Sequence, residues 1–225
     1  IAVTVHECAH AWAADQLGDP TVRLMGRVSL NPLVHLDPLG TVMMVITAFT
    51  GFGIGWGKPV PVSPHQLRFG SRRGNALVAL SGPLSNLVVA SGLGILVRLF
   101  AIAGMRPVGI LSILLQMVVM INIVIAMFNL LPIPPLDGHS VLLGLLSFSK
   151  SELAWRVSRF VLNLRQYGPM ILFGLIIFSQ FMGLNIIGRL IGPPSAFFYR
   201  LILGGSVSPF TGAGVKPGDF CFFSN

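Results

Sequence analysis

Apolar residues run along this chain in blocks separated by short polar knots, and block length decides what each can form. Residues 75 to 103 carry a single charge, Arg98, near their end, and residues 109 to 131 carry none. Both reach the roughly 20 residues that a helix needs to cross a hydrocarbon core of about 30 Å. Residues 168 to 192 read as a last span. Residues 39 to 54 are apolar but short and punctuated by glycine, which predicts a tilted or re-entrant helix.

The intervals have their own signals. Residues 1 to 17 read as the end of a helix, stopped by Gly18 and the Asp19-Pro20 pair. Too few residues precede it to complete a span, so the N-terminus is expected to be truncated. Residues 19 to 36 alternate polar and apolar positions and predict a short strand or hairpin. Pro59 and Pro61 exclude helix and central strand from residues 55 to 67 and leave an extended edge. Pro132, Pro134 and Pro135 stop the second span, and a short helix is predicted to begin at Asp137. Residues 147 to 167 form an amphipathic connector, and 204 to 225 a Gly, Ser and Pro-rich tail. The expectation is an all-α polytopic membrane protein, a bundle of about 4–6 transmembrane or re-entrant helices. It has a short extended or β segment near residues 20–35 and 57–62, and a single domain over residues 1–203.

Composition agrees. Charged residues make up 10% of the chain and hydrophobic ones 53%, with a mean hydropathy of +0.81. A soluble domain carries about 25% charged residues. The net charge of +8 is scattered through connectors rather than gathered on one face, which argues against a nucleic-acid partner and points to the bilayer. Lys58, Arg68, Arg72 and Arg73 lie in one connector and Lys150, Arg156, Arg159 and Arg165 in another, whereas the turn between the two spans holds Arg106. The rule that basic connectors stay inside predicts an integral, multi-pass protein of the cell membrane with both basic connectors cytoplasmic. Cys8 and Cys221 sit at opposite ends, so no disulfide framework is expected.

Ionisable groups in such a chain are costly unless paired or used. His6 and His10 stand four apart in "HECAH", one above the other on a helix face, and can present two imidazoles to one cation. Glu7 lies one position on, placed to receive a proton from water without binding metal. Cys8 points to another face. A catalytic zinc needs a third protein ligand. Asp137, at a helix break in apolar surroundings, is the strongest candidate, although Asp also suits an N-cap. His139 is a weaker one, and His35, Asp37 and His65 suit loop or capping roles better.

Four motifs in order, "HECAH" at 6–10, "GKPVPV" at 57–62, "SGPLSN" at 81–86 and "FNLLPIPPLDGHS" at 128–140, together resemble the site-2 protease family of intramembrane zinc metalloproteases. The similarity is to the compact branch without an inserted PDZ domain. It implies one Zn2+ per chain on His6, His10 and Asp137, with Glu7 activating water. It implies that Asn129 helps hold substrate or oxyanion, and Asn86 closes a motif facing the same core. For both asparagines an interhelical hydrogen bond is an equally good account. The implied activity is hydrolysis of a peptide bond within or near a transmembrane segment of a protein substrate, with the active site towards the cytoplasm. The alternative is a non-proteolytic membrane protein that transports or senses a divalent metal. Transporters spread polar groups along a path, and here they cluster at one depth.

Overall fold

The computed structural model describes residues 1–50, 56–104 and 110–204. The described residues are helical with no sheet: α1 (Ala2–Gln16), α2 (Thr21–Leu24), α3 (Pro32–His35), α4 (Pro38–Thr50), α5 (Ser71–Ile102), α6 (Ile110–Asn129), α7 (Asp137–Leu146), α8 (Glu152–Leu164), α9 (Gly168–Phe181) and α10 (Ile186–Leu203). Four segments are long and apolar enough to cross a membrane: Ser71–Ile102, Ile110–Asn129, Glu152–Ser179 and Ile186–Leu203. Their large apolar side chains face outward, with Val88 70% and Ile110 75% exposed, as lipid-facing surfaces require. The protein is an integral membrane protein. The tail expected over 204–225 and the Gly104–Pro107 turn fall almost wholly outside the described residues, as do positions 51–54 of the 39–54 helix.

Three helices form the core. Ala90 and Val97 of α5, Val119, Ile123, Ala126 and Met127 of α6, and Tyr199, Ile202 and Leu203 of α10 pack as one buried cluster. The pairings give direction. Asn86 of α5 bonds Asn122 of α6, Arg98 donates to the Leu201 carbonyl at 2.5 Å, and Tyr199 donates to Gln116 Oε1 at 3.3 Å. α6 therefore runs antiparallel to α5, and α10 runs parallel to it. α1 packs on the first half of α5, its small residues Ala11, Ala13 and Ala14 buried with Val22, Leu67 and Val78.

Three expectations are corrected. Residues 19–36 form no strand or hairpin; α2 and α3 occupy them. Side chains beside proline decide this. The Asp19 carboxylate accepts from Thr21 N, and Asn31 Oδ1 accepts from Leu33 N at the start of α3, each supplying a first-turn partner next to a residue whose φ is already helical. Asp37 does the same for α4 through Gly40 N. The β character expected at 57–62 reduces to a single antiparallel bridge, Leu36 opposite Gly57, with Lys58 N donating to the His35 carbonyl at 2.7 Å. The span expected at 168–192 is broken after Phe181. There Ser179 accepts from Leu184 N and Ile186 N, and Asn185, in the left-handed region at φ 41°, caps α10 through Gly188 N. An apolar tally across that stretch counts two helices as one.

Candidate metal centre

The centre is built from the hydrogen bonds behind it. Asn122 sits fully buried in α6 and donates its amide N–H to the Val118 carbonyl at 2.8 Å. Its Oδ1 therefore faces the Asn86 amide, 2.9 Å away. Asn86 Nδ2 also donates to the Ala2 carbonyl at 3.1 Å, so both its hydrogens are used and its Oδ1 points at His6 Nδ1, 2.7 Å away. His6 must then carry its proton on Nδ1, and its Nε2 is a bare lone pair. For His10 the argument is shorter. Its Nδ1 lies 2.8 Å from the Val78 carbonyl, which can only accept, so its Nε2 is bare as well.

Both lone pairs meet one carboxylate oxygen. Asp137 Oδ2 lies 3.0 Å from His6 Nε2 and 3.2 Å from His10 Nε2, and the two nitrogens are 3.1 Å apart. His6 and His10 are buried and Asp137 is partly so. Asp137 occupies the first turn of α7 but its side chain makes no capping bond, and buried Oδ2 accepts no hydrogen bond among the described residues. Three acceptors facing one point with no proton between them repel one another, unless a cation sits among them. Two imidazoles and one carboxylate are a zinc donor set with one position left over, so the residues present fit that ion.

Two glycines allow the approach. A methyl on Gly82 of α5 would stand 2.5 Å from His10 Nε2 and 2.8 Å from His6 Cε1. One on Gly138 would meet the carbonyls of Leu130 and Leu131, so only glycine lets α7 fold back against the end of α6 and bring Asp137 over the imidazoles.

The remaining candidates lie elsewhere or act indirectly. Glu7 is half-buried, within electrostatic reach of His10, His6, Asp137 and His35. Asn86 has all its hydrogen-bonding atoms committed, one of them to His6. Asn129 turns its amide to the Ile125 carbonyl at 3.0 Å within its own helix. His139 is buried against the Val161 carbonyl, exposed His65 lies beside Ser71, and Asp37 begins α4. Asn122 and Gly82 join the site only in the structure. A lone amide in an apolar run such as "VVMINIVIAM" needs a partner, which was the available signal for the first. Gly82 lies inside the "SGPLSN" motif at 81–86.

The profile of Peptidase family M50 matches residues 101–166. "Putative zinc metalloprotease YwhC" of Bacillus subtilis (strain 168) is 38% identical over 147 residues, covering 63% of this chain and 64% of that protein. "Putative zinc metalloprotease Rip2" of Mycolicibacterium smegmatis is 31% identical over 150 residues, 63% of this chain and 53% of its own. Its namesake in Mycobacterium tuberculosis (strain ATCC 25618 / H37Rv) is 32% identical over 146 residues, with the same shares. The matches thus span less than two thirds of each relative's length. No solved structure matches.

Proposed function

We propose, from the premise that this chain belongs to peptidase family M50, that it is an intramembrane zinc endopeptidase cutting a peptide bond within or near a transmembrane segment of another protein. The observation that carries the reading is the convergence of two bare imidazole nitrogens and an undonated carboxylate oxygen within 4.8 Å of one another. We take His6, His10 and Asp137 as the ligands of one zinc ion per chain, in a single intramembrane domain over residues 1–203. The ion supplies a Lewis acid for the scissile carbonyl and for the attacking water. Glu7 receives the water proton and returns it to the leaving amine, and its half-buried carboxylate beside the ligand cluster suits both steps. Asn86, through Oδ1, holds His6 in the tautomer that leaves Nε2 free. We keep Asn129 as the candidate for orienting substrate, reached by turning its amide away from Ile125.

A substrate helix hides its carbonyls in its own hydrogen bonds and must be unwound before it is cut. The stretch from Lys58 to Val62 lies outside helix and strand beyond the Gly57 bridge, and with Pro59 and Pro61 it suits an added strand from that unwound segment. Replacing residues 58–62 by Gly and Ser is expected to abolish cleavage; unchanged cleavage would remove this step. The site faces the cytoplasmic half in our reading, because Val78, Gly82 and Asn86 lie in the half of α5 that begins with Arg72 and Arg73.

The reading is tested with purified protein in lipid nanodiscs and a labelled transmembrane peptide. Wild type is expected to contain one zinc and to cleave. Glu7→Gln is expected to keep the zinc and lose cleavage by a factor of about 100 or more. Equal cleavage by both, or a purified protein with no zinc affinity, would defeat the proposal.

A further inference from the structure

His35 is a buried ring that the proposed reaction leaves unused. It is 1% exposed. Its Nε2 lies 2.7 Å from the Ser29 carbonyl, so that nitrogen carries the proton and Nδ1 carries a lone pair. Buried Nδ1 has no hydrogen-bond partner among the described residues. A buried acceptor left so is costly, and holding the Ser29 loop requires only Nε2.

The position of the ring gives that lone pair a use. His35 ends α3 where the chain meets the extended segment, Leu36 standing opposite Gly57. A methyl built on Gly57 would lie 3.3 Å from the His35 carbonyl and 3.7 Å from Glu7 Oε1, so one glycine brings the His35 segment and the Glu7 carboxylate to the same point. An imidazole nitrogen and a carboxylate are both acceptors, and a water molecule has two O–H groups, one for each.

We infer that His35 is a positioning residue for the peptidase reaction, its Nδ1 and the Glu7 carboxylate being joined by one buried water that fixes the carboxylate's orientation. The inference rests on the peptidase reading, with Glu7 as the group that moves the proton. The bridging water donates to both partners and is not consumed; it restricts Glu7 to the rotamer that faces the ligand cluster.

Two isosteres separate this role from loop support. In His35→Gln the side-chain N–H can still reach the Ser29 carbonyl, but the acceptor at the Nδ1 position is gone. In His35→Asn an acceptor oxygen remains near Nδ1 and the Ser29 bond is lost. With the same nanodisc assay, His35→Gln is expected to lower kcat by about ten- to a hundredfold at unchanged KM and unchanged zinc content, while His35→Asn keeps the larger share of activity. A purely structural ring predicts the reverse order. The inference is overturned if His35→Gln matches wild type, if His35→Asn is the weaker enzyme, or if both lose zinc in step with activity. Should wild type cleave nothing, the peptidase reading falls by itself. The inference is then decided by 15N-histidine spectra, where Glu7→Ala must move the His35 Nδ1 resonance, identified by its loss in His35→Gln. An unmoved resonance overturns it.

Discussion

At the residue scale, the state of the His6 ring is set from a distance. Val118 offers Asn122 only a carbonyl, and each later link follows from the one before, ending with a proton on His6 Nδ1. Removing a partner behind a metal-binding imidazole typically costs 10–100-fold in metal affinity. Asn86→Leu is therefore expected to weaken zinc binding by roughly that factor and Asn122→Leu by less, since Asn86 would keep its bond to Ala2. Competition against a chelator of known affinity measures both; unchanged affinity in Asn86→Leu would show that His6 needs no orienting partner. Gly82→Ala should act differently, by placing a methyl against both rings. It is expected to abolish zinc binding outright while circular dichroism stays helical. The approach of His6 to His10 is legible in the sequence because the i, i+4 relation is local and needs no knowledge of neighbours. What Asn86 holds is not, because it depends on how α1, α5 and α6 turn towards one another.

The element scale is where sequence reading went astray, and the reasons are specific. Periodicity over 19–36 suggests a strand, but the two Asx-Pro pairs there, Asp19-Pro20 and Asn31-Pro32, set helical first turns, a stronger local force than alternation over so short a stretch. Asp19 shows how firmly one such residue is held. It is fully buried, with Oδ2 accepting from Ser63 N at 2.6 Å and Oδ1 from Thr21 N at 3.0 Å, so it ties the end of α1 to the extended connector. Burial works against its charge, yet those donors prevail and hold the carboxyl below its ordinary value. A depressed carboxyl binds protons more readily in the unfolded state. Its contribution to stability is present above the unfolded value near pH 4 and is lost as pH falls through the folded one. Stability against unfolding in detergent should thus fall below about pH 4 in wild type, with Asp19→Asn lacking that component and starting about 1–3 kcal/mol less stable. An acid limb identical in both proteins would remove Asp19 from the account. The helix start at Asp137 was legible from its proline run, whereas the break after Phe181 was not. Ser179 and Asn185 make that break through backbone groups that an apolar count does not register.

On the scale of the whole molecule, pairings along the helices fix how the chain is threaded. The C-terminal half of α5 lies beside the C-terminal end of α10, through Arg98 and the Leu201 carbonyl and through Gly94 against Ile202. The end of α7 returns to the start of α5, where Arg73 reaches Ser147 and Gly144 packs on Ala76. Between those points the chain must therefore make no net crossing before α10 begins. The segment Glu152–Ser179 qualifies as a span by length and composition, but its first half is amphipathic, with Arg159 stacked on Trp155 and Arg156 paired to Glu152. A 3₁₀ turn at Arg165–Tyr167 then separates it from α9, whose 14 residues reach only about 21 Å. These pairings predict that α5, α6 and α10 cross and that α8 with α9 stays on the side of the basic connectors. In a background with Cys8→Ser and Cys221→Ser, Ile102→Cys and Leu201→Cys should accordingly react with a membrane-impermeant maleimide on intact cells. Ser149→Cys should react only after lysis. Labelling of Ser149→Cys and Leu201→Cys from the same side would mean that α9 crosses as well, and the parallel placing of α10 on α5 would have to be given up.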